Sequence, residues 1–416
     1  MSDKWSNFSK TLGPGILFAS TCIGVSHLVQ STRAGADYGF VLIWAIVLAN
    51  LFKYPFFEFA SRYTNATGES ILDGYYKKGK WILALFSLLT LFTMFIVTAA
   101  VTFVTAGLLS NLIVIEGLTT DLWVLIILIL CALVLIFGKY NLLDGMLKVI
   151  GTVLVISTLA AFISALVAGR APLAEDFIAK DAFDGAGLIF VVALMGWMPT
   201  AVDMSTWNSL WTEARIGQTG YHPTLKETLL DFNIGYLVSA VLAVFFLSLG
   251  ALVIYGTGTE LSNSSPVFAH QLISMYTNSI GKWSYLIIAV AAFSTMFSTS
   301  LAVMDGYGRS MGRATALFLK KDKDSRLPFI VWTIILTTGT YLVATQFVNA
   351  LKDLVDLATV VSFIIAPLAG FLNYKVITSR EIGARFQPPG WLKALAVAGL
   401  IFLGSFTFIY IYIISV

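Results

Sequence analysis

The stretch ASTCIGVSHLVQST, residues 19–32, lies inside the first long apolar run of the chain, where a membrane-spanning helix is expected. Gly24, Ser26 and His27 stand near its centre, although such a position would ordinarily face lipid. A helix that unwinds there frees backbone amide and carbonyl groups, and in a bilayer these groups need a cavity, a ligand or a neighbour. The stretch therefore predicts an unwound helix centre that faces a substrate cavity. A kinked but continuous helix is the alternative.

The composition is that of an integral membrane protein. Of the 416 residues, 58% are hydrophobic and 12% are charged, whereas soluble domains carry roughly 25% charged residues. We interpret residues 1–416 as a single polytopic domain in the lipid bilayer, and the net charge of +3 gives no support for a nucleic-acid partner. Cys22 and Cys131 fall in apolar segments and are expected to be reduced packing residues. The polar N-terminus MSDKWSNFSK lacks the pattern of a cleavable signal peptide.

Apolar runs of about 20 residues, the length that a helix needs to cross a bilayer, recur along the chain. The eleven predicted spans are residues 11–33, 38–61, 81–110, 121–138, 145–169, 186–209, 230–256, 283–305, 328–348, 354–375 and 391–414. With the N-terminus inside, twenty of the 26 Lys and Arg residues fall on the cytoplasmic side and five on the outer side. This bias predicts a cytoplasmic N-terminus and, since the span number is odd, an outer C-terminus, in the cell (inner) membrane.

Two of these spans share a glycine spacing. Gly15 is followed nine residues later by Gly24 in the first span, and Gly187 by Gly196 in the sixth, which also carries Pro199. Because five spans precede the sixth, the second half of the chain inserts upside down relative to the first. The pattern predicts two inverted five-helix repeats whose first helices are broken at the midplane. The predicted units are a first repeat over about 11–169, a second over about 186–375 and an extra helix over about 391–414.

Several segments carry a pattern that covers nearly the whole chain. They are LGPGILFAS (12–20), AGADYGFVLIWAIVLAN (34–50), Met198–Pro199, NSLWTEAR (208–215), DFNIGYLVSAVLAVFFLSLGALV (231–253) and ATVVSFIIAP (358–367). With them the chain resembles the natural resistance-associated macrophage protein (NRAMP) family of metal transporters. The resemblance implies an all-α integral membrane protein with the LeuT-like fold, transport of divalent metal ions and proton coupling.

The family's functional positions can be matched one by one, and most of its ligands are replaced here. The matches are Gly24, Val25, Ser26 and His27 for Asp-Pro-Gly-Asn in the first helix, Met195, Met198 and Thr200 for the Ala, Met and His of Ala-x-x-Met-Pro-His in the sixth, Ser205 for a second His, Ala99 and Thr102 for the third-helix acids, and Thr359 for the tenth-helix Gln. The chain thus resembles a divergent member of the family that lacks the usual metal-binding and proton-pathway acids.

These replacements change the chemistry that the resemblance implies. A buried divalent ion needs anionic or strongly polar ligands in place of its water. His27 with the thioethers of Met195 and Met198 suits a softer ion such as Cu(I), and His27 and Met198 are the candidate metal ligands. His27 can instead be a proton-coupled switch or simply satisfy a neighbouring polar group. Without third-helix acids, coupling through His27 or Asp203 and facilitated transport are the remaining choices.

Asp203 is the most informative charge, because a lone carboxylate inside a membrane span must pair with another group. His27, Arg33 or a cationic substrate are the candidate partners, and an interfacial cap near the helix end is the alternative. Trp197 stands in the sixth-span break, where it either stacks on a planar or cationic substrate or packs in the core. Short polar residues on the first, sixth and tenth spans suit a neutral or zwitterionic substrate: Thr21, Ser26, Gln30, Thr200, Thr359 and Ser362.

We therefore predict an alternating-access transporter that is not an enzyme and needs no cofactor, with a small solute or a metal ion as its substrate. The candidate substrate-binding residues are Gly24, Ser26, His27, Met195, Trp197, Met198, Thr200, Asp203 and Thr359. Family resemblance favours a divalent metal ion. An amino acid or an organic cation on the same fold is the first alternative, and a non-transporting sensor or scaffold is the second. The oligomeric state is not predicted.

Overall fold

The computed structural model describes residues 10–137, 140–321, 325–347 and 350–415, and these residues form helices and connecting segments without a β-strand. Part of the orientation prediction rests on residues 1–9, Lys139, Lys323 and Val416, which lie outside the described residues. The all-α fold class is therefore confirmed for the described chain. The direction in which the bundle crosses the membrane stays a prediction.

The α-helices are α1 (Pro14–Cys22), α2 (Thr32–Tyr38), α3 (Ile43–Thr67), α4 (Ile71–Lys78), α5 (Lys80–Leu112), α6 (Thr120–Phe137), α7 (Tyr140–Ala168), α8 (Gly185–Gly196), α9 (Ser205–Thr219), α10 (Leu225–Val253), α11 (Ser265–Ile280), α12 (Tyr285–Phe318), α13 (Leu327–Ala344), α14 (Leu351–Ile377) and α15 (Gly390–Ser415). A π-helix, Ser26–Ser31, leads into α2, and a 3₁₀ turn, Val202–Met204, leads into α9.

Within the described residues, eight helices are long and apolar enough to cross a membrane. They correspond to the predicted spans two to four and seven to eleven, whereas Val155–Ala168 and Gly185–Gly196 are shorter apolar helices within the fifth and sixth. Several helices continue past the predicted ends, and α12 extends to Phe318 rather than residue 305. The short helices α4 and α11 were not predicted, because segments of this length and mixed polarity fall below the apolar length on which the span prediction depends.

The first predicted span is broken where its polar residues cluster. Helix α1 ends at Cys22, the π-helix begins at Ser26, and the backbone at Ile23 and Gly24 lies outside both. A Cβ atom on Gly24 would lie 2.7 Å from Cγ2 of Thr299 on α12, so glycine lets the break approach that helix closely. The predicted unwound centre is therefore confirmed.

The sixth predicted span is broken in the corresponding place. Helix α8 ends at Gly196, and regular structure resumes only at the 3₁₀ turn that begins with Val202. A Cβ atom on Gly196 would lie 2.0 Å from the carbonyl oxygen of Thr359, which brings the end of α8 into backbone contact with α14. Between them the chain passes through Trp197 and the cis peptide bond Met198–Pro199.

Both halves of the first broken helix lie on α10 with their backbones in contact. A Cβ atom on Gly15 would lie 2.0 Å from the carbonyl oxygen of Asp231, and one on Gly35 would lie 1.9 Å from that of Leu247. The Asp231 carboxylate also accepts hydrogen bonds from the backbone N–H groups of Gly13 (3.3 Å) and Gly15 (2.7 Å), at the positive end of α1. Small residues permit this close packing. Helix α10 thus fixes the relative positions of the two helix halves on either side of the break.

Candidate substrate site

A cavity lies between the two helix breaks and contains about 270 Å³ of empty space. Its lining residues come from the first and sixth broken helices and from α5 and α12: Thr21, Val25, Ser26, Val97, Val101, Trp197, Thr200, Met204, Thr299 and Val303. The walls therefore consist of valine side chains, four hydroxyl groups, one thioether and one indole. None of these side chains is ionised, so the cavity offers shape and neutral hydrogen-bonding groups.

Most of the hydroxyl groups in the cavity already donate to backbone carbonyls. Thr21 donates to Leu17 at 2.7 Å, and Thr299 lies 3.1 Å from the carbonyl oxygen of Ser20. Thr200 differs, because its Oγ1 lies 2.8 Å from Sδ of Met204, and a thioether is a weak acceptor. Turning this hydroxyl toward a ligand would sacrifice little, so Thr200 is the best-placed donor for a bound solute.

The indole of Trp197 forms a fixed wall of the cavity. Its Nε1 donates to Oγ of Ser362 at 2.9 Å, and Ser362 donates in turn to the carbonyl of Ala358 at 2.8 Å. Trp197 is 4% exposed. Since the ring is held by α14, it can present its face to a ligand without first becoming ordered.

His27 points away from the cavity, toward α10. Its Nε2 lies 2.8 Å from the carbonyl oxygen of Ser239, to which it donates, and its Nδ1 lies 2.8 Å from Oγ of Ser26. The ring also packs edge-to-face against Phe246, with the centroids 6.2 Å apart. Both ring nitrogens are thus engaged within the protein, as in the alternative of a satisfied buried histidine.

The two candidate thioether ligands are also buried apart from the cavity lining. Met195 and Met198 lie in a hydrophobic cluster with residues of α3 and α14, and Sδ of Met198 lies 3.8 Å from Oγ of Ser31. In the part of the chain that the structure describes, no group of three or more His, Cys, Asp and Glu side chains could hold a metal ion. The ligand roles of His27 and Met198 stay predictions.

Lys53 is a charged residue beside the site that was not among the predicted substrate-binding residues, and neither were Val25, Met204 and Thr299 of the cavity lining. Lys53 is fully buried, and its Nζ lies 2.6, 2.8 and 3.2 Å from the carbonyl oxygens of Met195, Gly196 and Thr200, which lie at the break in the sixth span. A lone charge inside an apolar span signals a buried partner. The sequence carries that signal, but the partner lies more than 140 residues away in the chain.

Asp203 lies on the 3₁₀ turn that begins the second half of the sixth span. It is 5% exposed, its Oδ2 lies 3.5 Å from Oγ1 of Thr93, and it attracts Lys53 electrostatically. Of its predicted partners, His27 is bonded to Ser26 and Ser239. Arg33 is paired with Asp356 instead.

A network of charged and amide side chains joins the first broken helix to α14. Arg33 forms two parallel hydrogen bonds with the Asp356 carboxylate, at 2.6 and 2.9 Å. Gln30 donates to the same carboxylate at 2.8 Å and to Oγ1 of Thr359 at 3.2 Å. Thr359, a predicted site residue, therefore belongs to this network. Such bidentate pairs are specific in geometry, and this one joins α2 to α14.

A helical membrane bundle with two broken helices around a common cavity is the architecture of transporters built from inverted repeats. The protein is thus a membrane transporter with the LeuT-like fold. Within that class, the chain belongs to the family described as Natural resistance-associated macrophage protein-like, whose sequence profile matches residues 15–413. A relative from Pasteurella multocida (strain Pm70), itself an uncharacterized protein, is 38% identical over 415 residues, which cover 98% of this chain and 93% of the relative.

Solved structures of transporters share the fold at low sequence identity. A mutant of the Eremococcus coleocola manganese transporter is 15% identical with a TM-score of 0.71, over 97% of this chain and 86% of that one. MhsT in complex with L-phenylalanine is 14% identical with a TM-score of 0.61, over 96% and 98%. A nucleobase-cation-symport-1 family transporter with bound bromovinylhydantoin is 13% identical with a TM-score of 0.60, over 97% and 92%.

Proposed function

We propose that the protein transports a small organic solute without net charge, neutral or zwitterionic, which binds in the cavity between the two helix breaks. The observation that carries this proposal is the lining of that cavity, in which hydroxyl, thioether, indole and aliphatic groups surround the space and no side chain is ionised. Sites of this composition, mostly apolar with a few fixed polar groups, suit small organic molecules. Two transporters of the same fold hold organic ligands, L-phenylalanine and bromovinylhydantoin.

The electrostatics of the site oppose a divalent cation. Thr200 contributes its hydroxyl to the cavity and its carbonyl to Lys53, so the ammonium lies just behind the cavity wall. In a poorly hydrated interior, a positive charge at this short range disfavours a second cation, and the Asp203 carboxylate offsets part of this repulsion. A solute with a carboxylate is compatible with the same charge.

A divalent metal ion is the second candidate, and family membership favours it. The Eremococcus coleocola protein with the same fold is a manganese transporter. Around the cavity, the thioether of Met204 and the hydroxyls of Thr200 and Ser26 are donor atoms for such an ion. It would bind without a carboxylate, which transition ions of hard character prefer.

In the proposed transport cycle, the first and sixth broken helices move together against the remaining bundle, so that the cavity opens at one end at a time. The bidentate pair of Arg33 and Asp356 closes one end, and in the proposed orientation this end faces the outside of the cell. In this proposal, transport of the solute is either coupled to proton movement through Asp203 or is facilitated transport without coupling. The lipid bilayer is the cell (inner) membrane, with the N-terminus in the cytoplasm.

The substrate class can be tested by thermal unfolding of the purified protein with Mn²⁺, Mg²⁺, Cu(I), a set of amino acids and a set of amines. A ligand that binds the native state raises the melting temperature by mass action. We expect an organic solute to raise it and the metal ions to have no effect. Stabilisation by Mn²⁺ or Cu(I) alone would contradict the proposal and support the metal candidate.

Thr200→Val should weaken binding of the stabilising solute about tenfold, because the variant keeps the shape of the side chain and removes one hydrogen bond of about 1 kcal/mol. The measurement is the solute concentration that gives half of the maximal thermal shift. The matched control is Thr337→Val on α13, whose hydroxyl donates only to Thr333 at 2.8 Å in its own helix. His27→Gln should also keep the affinity, since His27 faces α10. Equal affinities in wild type and Thr200→Val would contradict this placement of the solute.

A further inference from the structure

We propose that the Lys53 ammonium is a tethered cation that occupies a cation site formed by the carbonyl groups of the broken sixth helix. The protein then needs no free Na⁺ or K⁺ at this place. This inference does not depend on the substrate proposed above, because it concerns the carbonyl groups behind the cavity wall and not the side chains that line it.

The geometry is that of a filled site. Nζ of Lys53 lies 2.6 Å from the carbonyl oxygen of Met195, 2.8 Å from that of Gly196 and 3.2 Å from that of Thr200. An ammonium group has three N–H donors and no acceptor, so three carbonyl oxygens satisfy it fully. Lys53 is 0% exposed, and water therefore does not compete for these bonds.

These carbonyl groups can accept hydrogen bonds from Lys53 because helix α8 ends here. Met195 and Gly196 are the last two residues of α8, where carbonyls lack the regular helical amide partner. The Met195 carbonyl also accepts from the backbone N–H groups of Trp197 and Met198 within the break, the latter at 3.3 Å. The C-terminal end of a helix carries partial negative charge, which favours a cation. In a bilayer these groups must be satisfied within the protein, and in inverted-repeat transporters freed carbonyls of this kind coordinate cations.

The charge of Lys53 also has a counterpart across the break. Asp203 lies on the 3₁₀ turn after the break and attracts Lys53 electrostatically. The Lys53 ammonium thus lies at the negative end of α8 and is also attracted by a buried carboxylate. A free monovalent cation at the same position would experience the same attraction, which is why the side chain can replace it.

Unlike a free ion, the Lys53 side chain links two parts of the protein. It is covalently part of one helix and hydrogen-bonded to the broken sixth span. Lys53 belongs to α3, whereas its acceptors belong to the end of α8 and to the segment before the 3₁₀ turn. The break therefore keeps its shape at any ion concentration. We expect the melting temperature of the wild-type protein to be the same in NaCl, KCl and choline chloride at equal ionic strength.

Lys53→Ala tests the site by chemical rescue. This variant empties the place of the ammonium and leaves a space next to the three carbonyls. We expect its melting temperature in choline chloride to fall below that of wild type and to rise saturably with KCl, NaCl or methylammonium chloride. Lys53→Met is the matched control, because its side chain fills much of the same space without a charge and should not be rescued.

Three results would overturn the inference. The first is a Lys53→Ala protein that none of the three cations stabilises more than choline does. The second is rescue of Lys53→Met to the same degree, which would mean a general salt effect. The third is a saturable response of the wild-type protein to Na⁺ or K⁺, and this measurement remains decisive if neither variant folds. Rescue of Lys53→Ala together with a solute panel that has no effect would support this inference and count against the proposed substrate.

Discussion

Gly196→Ala is expected to destabilise the protein by about 3 kcal/mol or more, the upper range for overpacking a well-packed interior. The added Cβ would lie 2.0 Å from the carbonyl oxygen of Thr359 and 2.7 Å from its carbonyl carbon. These are backbone atoms, so no side chain can turn aside to make room. Helices α8 and α14 would have to separate at the place where the sixth span is broken, and the carbonyls that bind Lys53 would move with them.

The comparison for this substitution is Gly217→Ala. Gly217 lies within α9, and a Cβ atom there would meet nothing within 4 Å. Because alanine is a better helix former than glycine by roughly 0.5–1 kcal/mol, the control should be as stable as wild type or slightly more stable. Thermal unfolding in detergent or nanodiscs measures both variants. Equal melting temperatures for Gly196→Ala and wild type would show that the two backbones are not in contact.

The second large effect is expected for Asp356→Asn, which breaks the ion pair that joins α2 to α14 and closes one end of the bundle in the proposed transport cycle. The side chain of Arg33 is 7% exposed and would keep its charge while losing the carboxylate that binds both of its terminal nitrogens. Breaking a buried pair costs roughly 3–5 kcal/mol, and the 31% exposure of the Asp356 side chain places this case at about 3 kcal/mol. This loss raises the free energy of the conformation that is closed at this end and not that of the open one.

A penalty of about 3 kcal/mol shifts the balance between closed and open states by roughly a hundredfold, since each 1.4 kcal/mol is a factor of ten. The cavity residue Val25 offers a reporter for this shift. A Val25→Cys protein in which Cys22 and Cys131 are replaced by alanine should react faster with an impermeant thiol reagent when Asp356→Asn is added. The reagent is applied from the side that the Arg33 end faces.

Glu69→Gln provides the control for the ion pair. Glu69 and Lys77 form a pair whose side chains are 35% and 50% exposed. Pairs of this kind contribute at most about 1 kcal/mol, so their loss should leave both the thiol reactivity and the melting temperature nearly unchanged. If Asp356→Asn behaves like Glu69→Gln, the Arg33 network does not control access to the cavity.

Much of the fold follows from local properties of the chain. Apolar runs of membrane length predict the spans, because every backbone group in lipid must be bonded within its own helix. The clusters around Gly24 and around Gly196 with Pro199 predict the two breaks, because these residues interrupt helices or let backbones approach closely. The structure confirms both breaks, and the family match over residues 15–413 confirms the resemblance carried by the same segments.

Some of the site residues could likewise be predicted from the sequence, and others could not. Trp197, Thr200 and Ser26 were predicted from their positions in the breaks, and all three line the cavity. His27, Met195 and Met198 occupy the same segments but point away from the cavity. Where a helix is interrupted, the side chains after the interruption no longer follow the angular spacing of the helix before it. Periodicity cannot predict direction across such an interruption.

The amino-acid sequence by itself determined that this protein is a helical membrane transporter with two broken helices, since span length, glycine clusters and the family pattern are properties of neighbouring residues. The tertiary structure alone decided that Lys53 satisfies the carbonyls of the sixth-span break and that Arg33 pairs with Asp356. These partners are 142 and 323 residues apart in the chain. Any buried charge requires a partner, but which one it meets depends on the packing of helices that are distant in sequence.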